Sequence, residues 1–436
     1  MKITISSTPA TGHVNPMLAL SKIIQAQGHE VVMLSGTSYR DRIEASGARF
    51  HALPGDADFD GQDLLAVVPE LKTTPPGPDW LRIALERLFV DRVADQYRGL
   101  QDVLGSFSAD VIIGDDMFFG VLPMLGGAVE TRPPIVLCGT SFLHSARDDQ
   151  APHFIGLPPA STEADLASYA QLARDYDERV HQPIARKLDR ILRPLGACAP
   201  SATLFDAVVQ EADIYLQLSV PGFEFPRPLP PSVKFIGCLP IVPNQAPIPP
   251  WADELDCRRK VVLVTQGTLA NHDFGLLVGP TLAALAEEGD LLVVATAGGR
   301  PVSAIPGPLP ANARIADYLP FDWLMGKIDL MVTNGGYGSV NQALSFGVPI
   351  VAAGLTEDKA DVNARIAWSG AGIDLRTNSP SPDAIRTAVR RALDEPHYRA
   401  SARRLQAEFA EYDARAEIAR VLYGIRHATR SVRAAA

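Results

Sequence analysis

Short apolar runs alternate along the chain with stretches of helical periodicity, and each run ends in a polar or glycine-rich turn. Runs of this kind predict buried parallel strands, and the stretches between them predict the connecting helices. The predicted strands are 2–7, 30–34, 109–114, 214–218 and 233–237 in the first half, and 260–265, 291–295, 313–318 and 329–332 in the second. The predicted helices are 17–26, 80–100, 276–288, a short helix before Gly347, and 396–425. This order is typical of two doubly wound, Rossmann-like α/β units.

A cluster of prolines separates the two units. Its members are Pro240, Pro243, Pro247, Pro249 and Pro250. Proline interrupts both helices and strands, so this density predicts an interdomain linker. We therefore assign 1–240 to an N-terminal domain, 241–258 to the linker, 259–405 to a C-terminal domain and 406–436 to a final helical segment.

Composition narrows the possible partners. The chain has 436 residues and a net charge of −10, which argues against broad binding to nucleic acids or anionic membranes. No apolar run is long enough to span a bilayer, and no signal region precedes the first strand. The four cysteines are scattered, without the spacing of a zinc site or a disulfide framework. We expect a reduced, cytoplasmic protein that is a monomer or a weak dimer.

A glycine-rich turn follows the strand 329–332 and leads into a short helix. The segment 332–349 has the sequence VTNGGYGSVNQALSFGVP. Glycines let the backbone approach a ligand, and the first turn of a helix offers unpaired N–H groups and the positive end of its dipole. Ser339 adds a hydroxyl at the same place. The turn by itself fits either a phosphate or diphosphate site or an ordinary tight turn.

A histidine and two aspartates follow neighbouring strands of the first predicted sheet. His13 lies in a predicted loop, 8–16, at the carboxyl end of the first strand, where ligands of such sheets bind. Asp115 and Asp116 end the strand 109–114, and adjacent side chains there point to opposite faces. One carboxylate can therefore orient His13, which could then take a proton from a hydroxyl group. A locally bonded histidine and helix-capping aspartates remain the alternatives.

Apolar side chains near the same edge are candidates for a pocket that holds an apolar substrate. Most aromatic residues at such positions belong to the core, which is the alternative for each of them. The candidates are Phe59, Trp80, Met117, Phe118, Phe119 and Phe142.

The segment 332–349 resembles the nucleotide-sugar signature of the UDP-glycosyltransferase superfamily. That signature reads His-Gly-Gly-x-x-Ser, with an acidic residue eight positions after the histidine, then Gly-x-Pro and Asp-Gln. Gly12-His13 ahead of Pro16 resembles the family's Gly-His-x-x-Pro loop, which carries the catalytic base. Asp115 matches the partner acid best, and Asp116 is second. The resemblance covers essentially the whole chain and is strongest to bacterial natural-product and macrolide glycosyltransferases.

The resemblance implies a GT-B fold, in which two Rossmann-like domains face a central cleft and the C-terminal helix packs back on the N-terminal domain. It also implies a set of donor-binding residues. These are Gly267, Thr268, Tyr318, Phe321, Asn334, Gly335, Gly336, Gly338, Ser339, Gln342, Asp358 and Lys359.

Several of these positions depart from the family pattern. Asn334 replaces the family histidine at the phosphates, and Gln342 replaces the acid that holds the ribose. Phe321 replaces a glutamine that reads the nucleobase, which leaves the identity of the base open. Asp358 and Lys359 stand where the family has Asp-Gln, at the sugar hydroxyls.

The implied function is transfer of a sugar, of the hexosyltransferase type and with inversion, from a UDP- or dTDP-sugar to a hydroxyl of a small, largely apolar acceptor. The nucleotide sugar is a co-substrate, and neither a cofactor nor a metal is expected. Asp56 and Asp58 lie in a loop and are interpreted as solvated side chains. A nucleotide-sugar epimerase or hydrolase and a non-catalytic binding protein are the alternatives, because a fold does not set the chemistry.

Overall fold

A computed structural model describes residues 1–61, 64–127, 131–241, 247–255, 258–267 and 271–435, without the side chains of Leu64 and 428–435. The strands are β1 Lys2–Ser6, β2 Glu30–Ser35, β3 Arg49–Ala52, β4 Val111–Asp115, β5 Ile135–Gly139, β6 Ile214–Gln217, β7 Val233–Phe235, β8 Lys260–Thr265, β9 Leu291–Thr296, β10 Ala313–Ala316, β11 Leu330–Thr333, β12 Ile350–Ala352 and β13 Gly372–Asp374.

The helices connect these strands and cover both faces of the sheets. They are α1 Thr11–Ala26, α2 Arg40–Ala45, α3 Leu64–Val67, α4 Pro78–Leu88, α5 Val93–Phe107, α6 Leu122–Leu125, α7 Glu163–Tyr176, α8 Gln182–Leu192, α9 Leu204–Glu211, α10 Val278–Ala284, α11 Phe321–Leu324, α12 Tyr337–Ser345, α13 Lys359–Trp368, α14 Pro382–Asp394, α15 Pro396–Phe409 and α16 Ala414–Ala435. No helix among the described residues is both long and apolar enough to cross a membrane.

The strands form two parallel sheets, one in each half of the chain. The first has the order β3-β2-β1-β4-β5-β6-β7 and the second the order β10-β9-β8-β11-β12-β13. Both are doubly wound, so the fold class predicted from the pattern, α/β with two Rossmann-like domains, is confirmed. In the first sheet Ser6 lies opposite Gly114, which brings the segments that follow β1 and β4 together at one edge.

Helix α1 begins earlier than the sequence predicted. The segment 8–16 was expected to be a loop, but the helix starts at Thr11 and runs through Pro16. The apolar residues Val14, Met17 and Leu20 pack into the core beneath the first sheet, and this burial holds the helix in register. Pro16 lies inside the helix and removes one backbone hydrogen bond, a cost that the burial of these neighbours offsets. His13 therefore lies on the first turn of a helix.

Two helices predicted as continuous are broken. The stretch 80–100 divides into α4 and α5, and Phe89 between them has a non-helical backbone. The stretch 396–425 divides into α15 and α16, because the carboxylate of Asp413 accepts from the N–H groups of Arg415 and Ala416 and caps a new helix. Helical periodicity alone does not show such breaks, since the apolar positions recur on both sides of them.

The C-terminal helix α16 lies on the N-terminal domain. Ile418, Val421 and Leu422 belong to the same core as Ile3 and Met17. The Gln27 side chain donates to the carbonyl of Arg415 over 3.0 Å. The last helix therefore links the end of the chain to its first α/β unit.

The two domains share a buried interface. Phe142, Val220 and Phe223 of the first half pack in one hydrophobic cluster with the core of the second half. Arg365 of α13 is fully buried and donates to Glu224 over 2.8 Å. Part of the predicted linker lies outside the described residues, namely 242–246, which include Pro243, and 256–257.

Candidate active site between the two domains

His13 and Asp115 meet at the carboxyl edge of the first sheet. His13 Nδ1 lies 3.1 Å from Asp115 Oδ1, and the histidine side chain keeps 18% of its surface exposed while the aspartate is fully buried. Asp115 also accepts from the N–H of Thr8 at 2.6 Å and of Met117 at 3.0 Å. The carboxylate is thus held from three sides. It orients the ring of His13 and leaves Nε2 as the nitrogen able to accept a proton.

Asp116 lies close to His13 but has other direct partners. Its carboxylate accepts from the hydroxyls of Thr140 at 3.0 Å and of Tyr215 at 3.1 Å. His144 Nδ1 lies 3.2 Å from it. Burial would raise the pKa of Asp116, but the bond and charge of His144 and the charge of His13 outweigh it, so the pKa is lowered. The direct partner of His13 is therefore Asp115.

The environment of His13 stabilises its protonated form. Burial by itself would lower the pKa of His13, but the charge and hydrogen bond of Asp115 and the charges of Asp116 and Asp358 together raise it. A base that gains stabilisation as it becomes charged is suited to accept a proton during a reaction.

Asp358 reaches this site from the opposite domain. It precedes α13, and its carboxylate accepts from the Ser141 hydroxyl, which follows β5, over 2.8 Å. Burial raises the pKa of Asp358 despite the nearby charge of Lys359. Lys359 is buried and forms an ion pair with Glu357. The carboxyl edges of the two sheets therefore meet across a cleft that holds His13 on one side and Asp358 on the other.

The glycine-rich turn has a shape that only glycine permits. Gly335 has a φ of +98°, and a Cβ there would lie 1.9 Å from the Asn363 side-chain oxygen. Asn363 in turn donates to the carbonyl of Gly354 over 3.0 Å. Gly336 precedes the first residue of α12, and the Ser339 hydroxyl donates to its carbonyl over 2.9 Å. Gly338 is exposed, so the start of the helix is open to a ligand.

Asn334 has a structural contact that the sequence did not indicate. Its side-chain N–H donates to the carbonyl of Gln266 over 2.9 Å, which joins the ends of β11 and β8. The sequence had suggested this amide as a donor to a phosphate. One of its two N–H groups is instead engaged by the protein, and the neighbouring backbone N–H groups remain for an anion.

We expect Asn334→Ala to lower kcat/KM for the donor only modestly. The variant loses one neutral hydrogen bond, worth about 0.5–1.5 kcal/mol, because the backbone of the turn supplies the other donors. Steady-state kinetics with varied donor will measure the loss, and Asn334→His, which restores the family residue, is expected to be tolerated. Abolished activity in both variants would show that the amide makes a specific catalytic contact.

The other residues expected to bind the donor lie in loops and helices that follow strands of the second sheet. Gly267 follows β8 with a φ of +69°, and Thr268 lies outside the described residues. Tyr318 is 43% exposed and its ring lies beside Gly299, which leaves an open face for stacking. Phe321 begins α11 and packs its ring against the domain core. Gln342 is half-buried on α12.

The aromatic residues expected in the acceptor pocket lie in different surroundings. Phe118, Phe119 and Phe142 are fully buried in hydrophobic cores, and Met117 is nearly so. These four side chains have almost no surface free for a ligand in this structure. They therefore agree with the alternative, in which they belong to the hydrophobic core. Trp80 packs on the satellite cluster Val68, Leu71, Ala84 and Leu88, and Phe59 lies under Arg92.

Phe89 lies beside His13, but the sequence analysis did not identify it as a site residue. Its half-buried ring stands edge-on to His13 at 6.4 Å between centroids. It lies in the break between α4 and α5, so a continuous predicted helix concealed it. Thr140 and Ser141 were also missed, although two hydroxyl residues directly after an apolar strand were a usable signal.

The ligand atoms of His13, Asp115 and Asp116 lie within 4.8 Å of one another, which is close enough for a metal ion. Protein groups already engage them, since Thr8 donates to Asp115 and Thr140 and Tyr215 donate to Asp116. We therefore interpret the cluster as a hydrogen-bonded network, and the absence of a metal requirement stays a prediction.

Comparisons with known proteins agree with this arrangement. Residues 281–425 match the family described as erythromycin biosynthesis protein CIII-like, C-terminal domain. The chain is 38% identical over 429 residues to 4'-demethylrebeccamycin synthase of Lentzea aerocolonigenes, covering 97% of this chain and 99% of that protein. It is 36% identical over 435 residues to UDP-glycosyltransferase 2 of Phaeomoniella chlamydospora, and the match covers 96% of this chain and 94% of that protein.

The fold is similar to that of CalG4, the calicheamicin glycosyltransferase, with a TM-score of 0.71 at 20% identity over 97% of this chain and 98% of that one. Two parallel sheets that meet edge to edge across a cleft define the GT-B glycosyltransferases. This chain belongs to the UDP-glycosyltransferase family and is a glycosyltransferase. The predicted membership of the UDP-glycosyltransferase superfamily is thereby confirmed.

Proposed function

We propose that the enzyme is an inverting, metal-independent glycosyltransferase that moves a hexosyl group from a nucleotide diphosphate-sugar to a hydroxyl of a small, largely apolar acceptor. The observation that carries the proposal is the position of His13. It is held by Asp115 at 3.1 Å and faces the same cleft as Asp358, which approaches from the domain with the glycine turn.

The proposed reaction is a single displacement. His13 Nε2 takes the proton of the acceptor hydroxyl as its oxygen attacks the anomeric carbon, and Asp115 stabilises the imidazolium that forms. The bond from the anomeric carbon to the diphosphate breaks on the opposite face, and the nucleoside diphosphate leaves with the electron pair. The N–H groups of Gly336–Gly338 at the start of α12 stabilise its charge.

The donor sugar is proposed to lie between the two domains. Asp358 has a free lone pair beside its bond to Ser141 and can accept from sugar hydroxyls. Phe89 beside His13 offers an apolar surface to the acceptor. The name of the Lentzea relative, a demethylrebeccamycin synthase, supports an acceptor of natural-product type.

A matrix of nucleotide sugars against mixed aglycones, analysed by product mass, tests this function. A product whose mass rises by one hexose supports transfer, and the anomeric configuration by NMR tests inversion. Release of free sugar alone would favour the hydrolase, and binding without turnover of any donor would favour the non-catalytic protein.

We expect little discrimination between UDP and dTDP. Phe321 packs against the core and supplies no polar group to the base, and Tyr318 stacks on any base. Calorimetric titration is expected to give affinities within about 1.4 kcal/mol, or tenfold. Discrimination far beyond tenfold would show that backbone groups read the base.

Turnover is expected to persist after removal of divalent metals. Backbone N–H groups and the helix dipole meet the diphosphate charge without an ion. Initial rates after dialysis against EDTA are compared with those after Mg²⁺ or Mn²⁺ is returned. A loss with EDTA that a metal reverses would contradict the metal-independent mechanism. A cytoplasmic location and a monomeric or weakly dimeric state remain predictions from composition.

A further inference from the structure

A second buried carboxylate is connected to His13 through one hydroxyl group. Thr140 Oγ1 lies 3.0 Å from His13 Nδ1 and 3.0 Å from Asp116 Oδ1. The backbone N–H of Thr140 also donates to Asp116, over 3.2 Å. Thr140 follows β5, so this connection comes from a different strand than the Asp115 contact.

The chemistry of these groups determines where the protons lie. An ionised carboxylate only accepts hydrogen bonds, and the Thr140 hydroxyl has one proton to give, so that proton points to Asp116. The oxygen of Thr140 then offers a lone pair to His13. The N–H at Nδ1 of His13 is therefore shared between Asp115 Oδ1 at 3.1 Å and Thr140 Oγ1 at 3.0 Å.

We propose that Thr140, oriented by Asp116, is a second positioning arm for the catalytic histidine. It holds the tautomer with the proton on Nδ1 and stabilises the charged ring that forms when Nε2 accepts a proton. The inference rests on the proposed role of His13 as the base. It adds Thr140 and Asp116 to the groups that set the protonation state of that base.

The surroundings of Asp116 keep this arm rigid. Tyr215 donates to its second oxygen at 3.1 Å, and His144 lies at 3.2 Å. All three side chains are buried, so the carboxylate cannot exchange these partners for water. Thr140 is fixed by a carboxylate that is itself held by two neighbours.

The charged groups that face His13 are Asp115 and Asp116 from β4 and its end, and Asp358 from the opposite domain. All three favour the imidazolium. Removing the hydroxyl of Thr140 breaks the hydrogen-bonded connection between Asp116 and His13. The pKa of His13 should then fall, and the acid limb of the rate profile should move to lower pH.

Thr140→Val and Thr140→Ser form a matched pair that tests the arm. Valine keeps the shape and loses the hydroxyl, while serine keeps the hydroxyl. We expect Thr140→Val to lower kcat about tenfold, as for loss of one charge-assisted hydrogen bond, with KM for the donor unchanged. Its acid limb should move to lower pH, and Thr140→Ser should restore both values.

Three outcomes would overturn the proposal: wild-type kcat in Thr140→Val, equal losses in the two variants, or a loss of kcat with no movement of the acid limb. A double-mutant cycle with Asp115→Asn gives a second test. If both groups hold one N–H, the double variant loses more than the two single losses combined, and additive losses would contradict the shared contact. His13→Ala distinguishes this proposal from the proposed function. Full activity of His13→Ala would show that His13 is not the base, whereas the Thr140 variants test only how the base is positioned.

Discussion

Replacing His13 by alanine is expected to lower kcat by about two to four orders of magnitude, which is the usual contribution of a general base. The affinity for the nucleoside diphosphate should remain unchanged. The physical reason is that His13 lies on α1 of the first domain, whereas the glycine turn proposed to bind the diphosphate lies in the second. Initial rates together with calorimetric titration of UDP will separate the two effects.

His29→Ala is the matched control for this experiment. His29 precedes β2 at the amino end of the same sheet, where its ring lies 3.1 Å from the N-terminal amine. It is far from the edge that carries Asp115, so its variant should retain wild-type turnover. Near-normal turnover of His13→Ala, or equal losses in the two variants, would show that His13 is not the base.

Replacing Arg365 by methionine is expected to lower the free energy of unfolding by about 3–5 kcal/mol, because removal of one partner breaks a short ion pair that is fully buried. The Arg365 guanidinium is fully buried and donates to Glu224 at 2.8 Å and to the Asp361 carbonyl at 3.0 Å. It also lies against the rings of Phe142 and Phe225 at 4.5 Å and 4.2 Å. Methionine fills part of this space and leaves Glu224 with only the longer ion pair to Arg227, at 3.9 Å.

Arg193→Met is the control for the loss of an arginine. Arg193 Nε lies 2.7 Å from Asp189 Oδ2, but the arginine side chain is 73% exposed. Its replacement should therefore lower the free energy of unfolding by less than about 1 kcal/mol. Urea unfolding of both variants measures the difference. An Arg365→Met protein that unfolds at the wild-type urea concentration would show that this ion pair does not stabilise the interface.

The same contact has a consequence for activity. Arg365 lies on α13, whose first residue is Lys359 and whose preceding residue is Asp358. Glu224, Phe142 and Phe225 belong to the first half of the chain. Helix α13, which follows Asp358 at the cleft, is therefore anchored in the N-terminal domain. Because Asp358 is proposed to bind the donor sugar, a loss at Arg365 should also lower kcat/KM for the donor.

Much of the fold was visible in the sequence because the relevant signals are local. A short apolar run such as Lys260–Thr265 is typical of a parallel strand that is buried on both faces of a sheet, and it forms one here. The glycine turn was recognised from its closely spaced glycines between a strand and a helix, and the structure shows that Gly335 there has a positive φ and no room for a Cβ. His13 and Asp115 were found because the carboxyl ends of neighbouring parallel strands share one edge.

The errors came from contacts between distant parts of the chain. The sequence placed Phe119 and Phe142 in a pocket, yet both fill the core, while Phe89 stands beside His13. An aromatic residue near a site packs inward or outward according to its neighbours in space. The breaks at Phe89 and Asp413 were missed for a different reason, because the apolar periodicity continues across them.

The sequence by itself determined the two α/β units, the glycine turn and the pairing of His13 with a carboxylate, because strand burial, glycine conformation and strand-end chemistry act over a few residues. Only the tertiary structure decided which aspartate meets His13, that Thr140 joins Asp116 to the same ring, and that Asp358 reaches the site through Ser141. The contacts of His13 with Asp115 and Thr140, and that of Ser141 with Asp358, each join residues more than 100 positions apart. Their geometry follows from the register of two sheets and the packing between them, which no local pattern encodes.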